Sequence, residues 1–379
     1  MKKLHLKRFA LLSLVLCCAS LTFAQMTTET IDGLCYKISR GGKKATLVAN
    51  EEQAYSGRII VPEKITTSDG NEYPVVAFAD ECFLGCGDLE SVQIPNSVTK
   101  LGERCFMNCS SLAEVNLPAS ITELPVGCFG YCSKLKQIDI PSTVTSIGGA
   151  CFMNCTNLSD VTLPRTILYL PEQCFSRCQS LKTLKIPSSV TAIADYCFYR
   201  CVSLEQILIP FNTTAVGAHC FENCTSLRTV EFASTVNLLY DECFSYCYSM
   251  ESLYFNGDAP DNFINCGARA ETTLFVPEEH LQHYIDEVGS YYKHIETWAT
   301  NEGVGSGIWS ATVHPVVAAS QDGVVTLSGL AMGEPVRFYS VDGKLLATVF
   351  AIDGKAICSP AAPVVIAHVG GKVLKIAVK

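Results

Sequence analysis

A phenylalanine between two cysteines recurs along this chain at one fixed interval. The first copy occupies residues 82–86, and the second follows at 105–109. The same interval of 23 residues holds without insertion for eight copies. Their phenylalanines are Phe83, Phe106, Phe129, Phe152, Phe175, Phe198, Phe221 and Phe244. A constant period of this length means that one structural unit is stacked on copies of itself, so the sequence predicts a solenoid.

Each unit also contains the signal of a short strand. In Leu89-x-x-Val92-x-Ile94-Pro95, apolar residues alternate with polar ones, which is typical of a half-buried strand. Pro95 ends that strand because proline has no N–H group to donate to a neighbour. We expect a second apolar pair to turn the chain back over the core, and the Cys-Phe-x-x-Cys segment to close the coil as one helical or 3₁₀ turn.

The repeat details resemble a known family. Leu-x-x-Val-x-Ile-Pro-x-x-Val and Cys-Phe-x-x-Cys-x-x-Leu are similar to the BspA-like subfamily of bacterial surface leucine-rich repeats, over about residues 30–277. One departure is that a cysteine, rather than the usual alanine, precedes every phenylalanine. The resemblance implies a secreted or cell-surface protein that adheres to host proteins, other cells or glycans. It also implies a β-rich leucine-rich-repeat solenoid of 23-residue units with a cap at each end.

Residues 1–24 are predicted to be a secretory signal peptide. Basic residues precede an apolar run from Phe9 to about Cys18, and Ala24 ends a small-residue cleavage site. No other apolar stretch is long enough for a membrane span. The expected location is therefore outside the cell, secreted or on the exterior of the outer membrane.

The remaining boundaries follow from where the repeat begins and decays. We expect an N-terminal cap over 26–80, with strands at 31–38, 45–48 and 58–61, and eight repeats over 81–256. A C-terminal cap follows over 257–300, with a helix from Glu278 to Trp298, and a Gly-rich linker over 301–307. Residues 308–379 are predicted to form a small β-sandwich that includes an Asp342-Gly343 hairpin. Within this part, residues 335–345 and the end at 375–379 resemble the sorting domain of type IX secretion substrates in Bacteroidetes-type bacteria.

The chain contains 21 cysteines, most of them in the repeats. An exported, cysteine-rich chain suggests disulfides. Cysteine at fixed solenoid positions is equally what a column of small buried apolar side chains looks like. Zinc binding is the least favoured interpretation, because eight identical pairs would need eight sites. We favour the buried, reduced column.

The residues give little support to catalysis. No nucleophile elbow, zinc-protease motif or phosphate-binding glycine loop is present. Glu114, Asp139 and Asp160 could act as paired carboxylates in a glycosidase, but solvated strand positions explain them better. His280 and His283 are better explained as a solvated helix face than as a metal site. We therefore predict a protein that is not an enzyme, with no cofactor and no metal.

The charge balance and the strand positions indicate the kind of partner. A net charge of −9 argues against nucleic acid or anionic lipid. The outward strand positions vary while the core positions do not, so we expect a monomeric solenoid whose strand face binds an extracellular protein or glycan. A structural envelope protein without a specific ligand is the alternative, and a polysaccharide-acting enzyme a weaker one. The predicted binding residues are Gln93, Glu114, Asn116, Gln137, Asp139, Asp160, Thr162, Thr183, Lys185, Gln206, Glu231 and Tyr254.

One file of small hydroxyl residues stands where other leucine-rich repeats carry an asparagine ladder. We predict that these hydroxyls bond to backbone groups of the adjoining coil. The residues are Ser97, Ser120, Thr143, Thr166 and Ser189.

Overall fold

A computed structural model of the chain describes the solenoid as one continuous stretch and the C-terminal part in pieces. The described residues are 26–297, 317–321, 324–328, 335–340, 344–350, 355–359, 364–369 and 372–378. The predicted signal peptide over 1–24 and the predicted linker over 301–307 lie outside them. Within the described residues, no helix combines the length and the apolar character that crossing a bilayer requires.

One wall of the solenoid is a series of short parallel strands. Partners in adjacent strands occupy equivalent positions of successive repeats, as in Val92 with Val115 and Ile138 with Val161. The coil that contains Leu184 has no strand at this position, although Leu184 is buried like its counterparts. The strands of this wall are Leu89–Gln93, Glu114–Asn116, Gln137–Asp139, Asp160–Thr162, Gln206–Ile209, Thr229–Phe232 and Ser252–Phe255.

A second wall is built from strands of two residues each. They are Glu123–Leu124, Ser146–Ile147, Tyr169–Leu170, Ala192–Ile193, Ala215–Val216 and Leu238–Leu239. The hydroxyl file lies just before this wall and is bonded as predicted. Thr143 Oγ1 donates to the Ile121 carbonyl at 2.8 Å, and Ser189 Oγ donates to the Ile167 carbonyl at 2.6 Å. Ser120 and Thr166 make the equivalent bonds, so the prediction is confirmed for these four residues. Ser97 instead donates to the Glu63 carbonyl of the N-terminal cap at 3.2 Å.

The third wall is the Cys-Phe-x-x-Cys segment, and it is not the helical or 3₁₀ turn expected from its sequence. The residue before each segment and the residue before its second cysteine have positive φ, for example Arg104 at 52° and Asn108 at 63°. The N–H groups of Arg104, Phe106 and Asn108 donate to carbonyls of the following coil at 2.8–2.9 Å. The N–H groups of Met107 and Cys109 instead close turns onto carbonyls three residues back. Because left-handed and right-handed residues alternate here, some N–H groups donate within their own coil and the others donate to the neighbouring coil.

A column of phenylalanine rings fills the centre. Consecutive rings from Phe83 to Phe244 lie 5.1–5.7 Å apart between centroids and within 9° of parallel. All eight rings are at most 1% exposed. The constant period places identical rings one coil apart, so each ring stacks on a copy of itself.

The cysteines form two further columns beside the rings, and every cysteine among the described residues is a buried free thiol. From the second pair onward, the second cysteine donates its S–H to the phenylalanine carbonyl of the preceding coil, as Cys155 does to Phe129 at 3.1 Å. The seven bonds of this kind measure 3.0–3.2 Å. Burial raises the pKa of the Cys155 thiol to about 12, so the thiol keeps the proton that it donates. The reduced column favoured by the sequence is the arrangement found.

The N-terminal cap contains more strands than its sequence suggested. Its strands are Met26–Ile31, Leu34–Ser39, Lys44–Val48, Gly57–Ile60, Lys64–Thr66 and Glu72–Phe78. The single strand predicted over 31–38 is wrong, because Asp32 and Gly33 both have positive φ and form a hairpin turn. Gly57–Ile60 pairs with Leu89–Gln93 and so covers the open edge of the first repeat.

The C-terminal cap differs from expectation in the length of its helix. A 3₁₀ turn, Glu278–His280, leads into an α-helix, Leu281–Val288, that stops at Gly289. The helix predicted as far as Trp298 is therefore too long. Strand Thr273–Val276 before the helix and strand His294–Thr297 after it extend the strand wall past the last repeat. A 3₁₀ turn, Phe263–Asn265, precedes them.

The described residues of the C-terminal part form two antiparallel sheets. One contains Val317–Gln321, Val324–Ser328 and Lys355–Cys358, and the other Pro335–Tyr339, Leu345–Phe350, Val364–Val369 and Lys372–Ala377. Leu327 of the first sheet and Phe338 of the second belong to one buried cluster, as a small β-sandwich requires. The Asp342-Gly343 turn lies outside the described residues.

Removing one ring from the column tests its contribution to stability. We expect Phe152→Ala to lower the free energy of unfolding by about 3–5 kcal/mol, and Leu112→Ala by about 2–5 kcal/mol, because both leave cavities that rigid neighbours cannot fill. Urea unfolding of each variant beside the parent measures the loss. The exposed Lys136→Ala is the control and should leave the curve unchanged. A Phe152→Ala curve equal to that of the parent would contradict the stacked column.

The thiol columns predict a distinct reactivity. In the folded chain the sixteen repeat cysteines should resist an aromatic disulfide reagent, because burial makes them inaccessible. In denaturant without reductant, all sixteen should react. A lower count in denaturant that rises once reductant is added would mean that disulfides replace the S–H donors.

Candidate binding surfaces

The strand wall presents two outward files of side chains, here called the strand face. Parallel pairing sets Gln137 beside Asp160 and Asp139 beside Thr162. The predicted binding residues of the N-terminal coils are exposed on this face, namely Gln93, Glu114, Asn116, Gln137, Asp139, Asp160, Thr162, Thr183 and Lys185. The structure therefore brings these nine predicted residues together on one open surface.

The exposed part of the strand face is acidic. Glu114, Asp139 and Asp160 lie in three consecutive coils, and no Lys or Arg of the described chain comes within salt-bridge distance of them. Asn116 has a different role, because its amide accepts from the Ile94 N–H at 2.8 Å and donates to the Ile94 carbonyl at 3.1 Å. These carboxylates are solvated side chains on an open sheet, not a pair enclosed in a cleft.

The C-terminal end of the strand face departs from the expectation of an exposed row. Gln206 and Tyr254 are half-buried, and Glu231 is only 5% exposed. Tyr254 stacks on Phe275 with ring centroids 4.5 Å apart. The outward positions here carry apolar and aromatic side chains, so Glu231 lies in an apolar setting rather than in a polar row.

Glu231 is an unusual carboxyl group. Its Oε1 accepts from Asn256 at 3.2 Å, while Oε2 is buried without a hydrogen-bond partner among the described residues. Burial raises the pKa of Glu231 from 4.5 to about 7, and the Asn256 amide offsets only part of that effect. Sequence alone gave no sign of this, because the same file holds exposed polar residues in earlier coils.

The turn wall forms a second candidate surface, here called the turn face, which the sequence interpretation missed. Its outward side chains occupy three positions of each unit: two before, one after and two after the phenylalanine. Positive φ at the first and third of these positions points their side chains away from the core. The helical turn assumed from the sequence would have given other directions. The available signal was the concentration of Tyr and Arg at these positions in the middle coils.

The middle of the turn face holds a recess of about 290 Å³. Its floor includes Ser176, a small residue between the larger Met153 and Tyr199 at the same position of the flanking coils. The full lining is Tyr131, Met153, Asn154, Gln173, Ser176, Arg177, Tyr196 and Tyr199. A small residue at one repeat position thus opens a cavity that a larger one would fill.

Two arginines lie against the aromatic rim of the recess. The guanidinium carbons of Arg177 and Arg200 are 5.9 and 5.3 Å from the centroid of the Tyr199 ring. Among the described residues, neither guanidinium is within salt-bridge distance of a carboxylate. The recess therefore offers positive charge and aromatic faces on a chain that is acidic overall.

One group on the turn face could hold a metal ion. His219, Glu222 and Glu242 place one donor atom each within 4.8 Å of one another. His219 Nδ1 is 2.8 Å from Glu222 Oε2 and 3.6 Å from Glu242 Oε2. Sequence spacing does not indicate this group, because the three residues come from two different coils.

The raised pKa of Glu231 predicts a pH dependence of stability. Because the folded state holds this proton more tightly than the unfolded state, the contribution to stability is complete below about pH 4.5 and is lost as the pH rises through about 7. We expect Glu231→Gln to be more stable than the parent at pH 8 by up to about 3 kcal/mol, and equal to it at pH 4.5. Urea unfolding at both values measures the difference. Glu251→Gln, an exposed carboxyl, should follow the parent at both, and a Glu231→Gln profile parallel to the parent's would contradict the assignment.

Comparison with solved structures finds other leucine-rich repeat proteins. The chain is similar to a leucine-rich repeat protein of Bacteroides ovatus at 24% identity, over 65% of this chain and 76% of that one, with a TM-score of 0.45. It is also similar to the T. pallidum leucine-rich repeat protein (28% identity, 51% and 86% covered, TM-score 0.45). A leucine-rich cell surface protein of Faecalibacterium prausnitzii matches at 20% identity, over 72% and 95% of the two chains, with a TM-score of 0.43. Curated proteins give no match.

The family assignment comes from the repeat itself. The description "BspA type Leucine rich repeat region" matches in six copies, over residues 76–201 and 191–267. Together these cover just over half of the chain and fall on the coils whose rings form the central column. The chain therefore belongs to the BspA-type leucine-rich-repeat family.

Proposed function

We propose that this chain is a secreted or cell-surface binding protein, which adheres to an extracellular protein or glycan without chemical turnover. The family to which its repeats belong supports a surface role. The predicted signal peptide over 1–24 and the sorting-like domain over 308–379 belong to the same proposal as the means of export.

The recess on the turn face is the observation that carries this function. Tyr and Arg dominate the energetics of protein interfaces, because they combine a large contact area with directed polar groups. Arg177 and Arg200 are held against Tyr199 but are not neutralised by a carboxylate of the described chain. A partner that offers an anionic group next to a flat apolar one would satisfy both features. The volume of about 290 Å³ suits one side chain or sugar ring at the small end of ligand pockets.

The strand face is the second surface of the same function. Glu114, Asp139 and Asp160 present unpaired negative charge over three coils. Such a row steers a basic partner and raises its rate of association, but exposed charges add little affinity by themselves. We therefore assign the anchoring contacts to the recess and long-range attraction to the strand face.

The alternatives make different demands on the structure. A structural envelope protein requires no recess and no unpaired arginines. A polysaccharide-acting enzyme requires two carboxyl groups set across a bound sugar, whereas Glu114, Asp139 and Asp160 lie exposed on a sheet. The turn face favours binding over both.

Binding of the mature chain to an array of glycans and extracellular proteins tests the function, and the repeat supplies its own variants. Ser176→Met fills the recess with a residue that the same position holds in the coils of Met107 and Met153. Arg177→Asn removes the charge and installs the residue found at Asn108 and Asn154. We expect each to weaken binding at least tenfold, a loss of about 1.4 kcal/mol or more, because the first closes the recess and the second removes its positive charge.

The matched controls lie on the strand face. Asp139→Asn and Asp160→Gln likewise use residues of their own files, Asn116 and Gln137. They should slow association at low salt and change the equilibrium affinity less than threefold. No binding to any array member would favour the structural alternative. A loss confined to the strand-face variants would move the anchoring site to that face.

A further inference from the structure

Three potential metal ligands converge on the turn face, one coil beyond the recess. His219 Nδ1 lies 2.8 Å from Glu222 Oε2 and 3.6 Å from Glu242 Oε2, and the three donor atoms lie within 4.8 Å of one another. His219 and Glu222 are half-buried, whereas Glu242 is exposed. One side of the group is therefore open to solvent.

The register of the solenoid builds this group. His219 and Glu242 occupy the same repeat position in adjacent coils, two residues before the phenylalanine, and both have positive φ. Residues one repeat apart at this position point the same way and come into contact, as the 2.7 Å ion pair between Arg104 and Glu81 shows. Glu222, one residue after the phenylalanine in the coil of His219, completes the group. The backbone thus fixes the directions of all three side chains.

The surroundings hold the ligands in place and leave their charge uncompensated. Glu222 Oε1 accepts from Asn223 Nδ2 at 3.0 Å, and the His219 ring stacks on Tyr196 with centroids 4.7 Å apart. Within the described residues, no Lys or Arg pairs with Glu222 or Glu242. Among these residues the two carboxylates have only the His219 imidazole beside them, so a divalent cation would balance their negative charge.

We propose that His219, Glu222 and Glu242 form a binding site for a divalent transition-metal ion of the Zn²⁺ class. Zn²⁺ binds imidazole nitrogen and carboxylate oxygen at about 2.0–2.2 Å, which sets tetrahedral donor atoms about 3.3–3.5 Å apart. The distances of 2.8 and 3.6 Å bracket that value, so small rotations of the side chains admit the ion. The imidazole selects against Ca²⁺ and Mg²⁺, which prefer ligand sets made of oxygen.

The ion would join two coils and leave a position free. His219 and Glu222 belong to one coil and Glu242 to the next, so binding stabilises their stacking. Three protein ligands leave a fourth position on the solvent side for water or for a donor atom of another molecule. Tyr196 lines the recess and stacks on His219, so the ion would stand beside the proposed anchoring site. The metal site does not require the recess to bind anything, and either proposal can fail alone.

Titration of the full mature chain with ZnCl₂, followed by calorimetry and by thermal unfolding, tests the site. Each ligand can be replaced by a residue that the repeat already holds at the same position. The variants are His219→Ala, as at Ala150, Glu222→Ser, as at Ser176, and Glu242→Gln, as at Gln173. These positions already accept the new residues in other coils, so the variants should remain folded. His283→Ala is the control, because it removes an imidazole near Asp258 in the C-terminal cap.

The parent and the His283→Ala control should bind one equivalent of Zn²⁺ and melt at a higher temperature as its concentration rises. The variants at the site should bind at least about tenfold more weakly and lose the shift in melting temperature. Substituted Co²⁺ should show no thiolate charge-transfer absorption, which separates this site from the cysteine columns. The proposal is overturned if the parent shows no saturable binding, if the three variants bind like the parent, or if the Co²⁺ spectrum reports thiolate ligands.

Discussion

Each repeat moves the backbone along the solenoid by one coil, without insertion, and the rest of this structure depends on that constant spacing. It places each phenylalanine ring on the next at 5.1–5.7 Å, and it aligns the N–H groups of one coil with the carbonyls of its neighbour. A one-residue insertion in any unit would break both at once. The ring column supplies apolar burial, and the bonds between coils satisfy the backbone groups that this burial removes from water.

The cysteine columns follow from the same constant spacing of the repeats. A thiol at the second position of each pair faces the phenylalanine carbonyl of the coil before it, so S–H donation repeats along the solenoid. A disulfide would remove that donor and pull two parallel side chains together. The repeat thus uses cysteine as a small apolar residue with one weak donor, even in a chain that its leader is expected to export.

The period, the strand wall and the buried positions could be predicted from the sequence, because they depend only on spacing and on alternation. The errors occur where conformation is decided by single residues. Asp32-Gly33 turns the first predicted strand into a hairpin, and the last helix ends at Val288, well before its predicted end. The turn face was missed because its side-chain directions follow from positive φ, which a repeating Cys-Phe-x-x-Cys pattern does not reveal. Glu231 was expected on an exposed row, but the apolar outward positions of the C-terminal coils bury it.

Every candidate site on this protein is assembled from residues one coil apart. The recess draws on four consecutive coils, and the His219 group draws on two. Neither exists within a single repeat, so each depends on the stacking that the ring column maintains. In a nearly one-dimensional array, weakening one interface uncouples the coils on either side of it. Damage to the core between Phe129 and Phe244 should therefore remove binding and metal affinity before it unfolds the whole chain, because the surface sites span the interfaces that would open first.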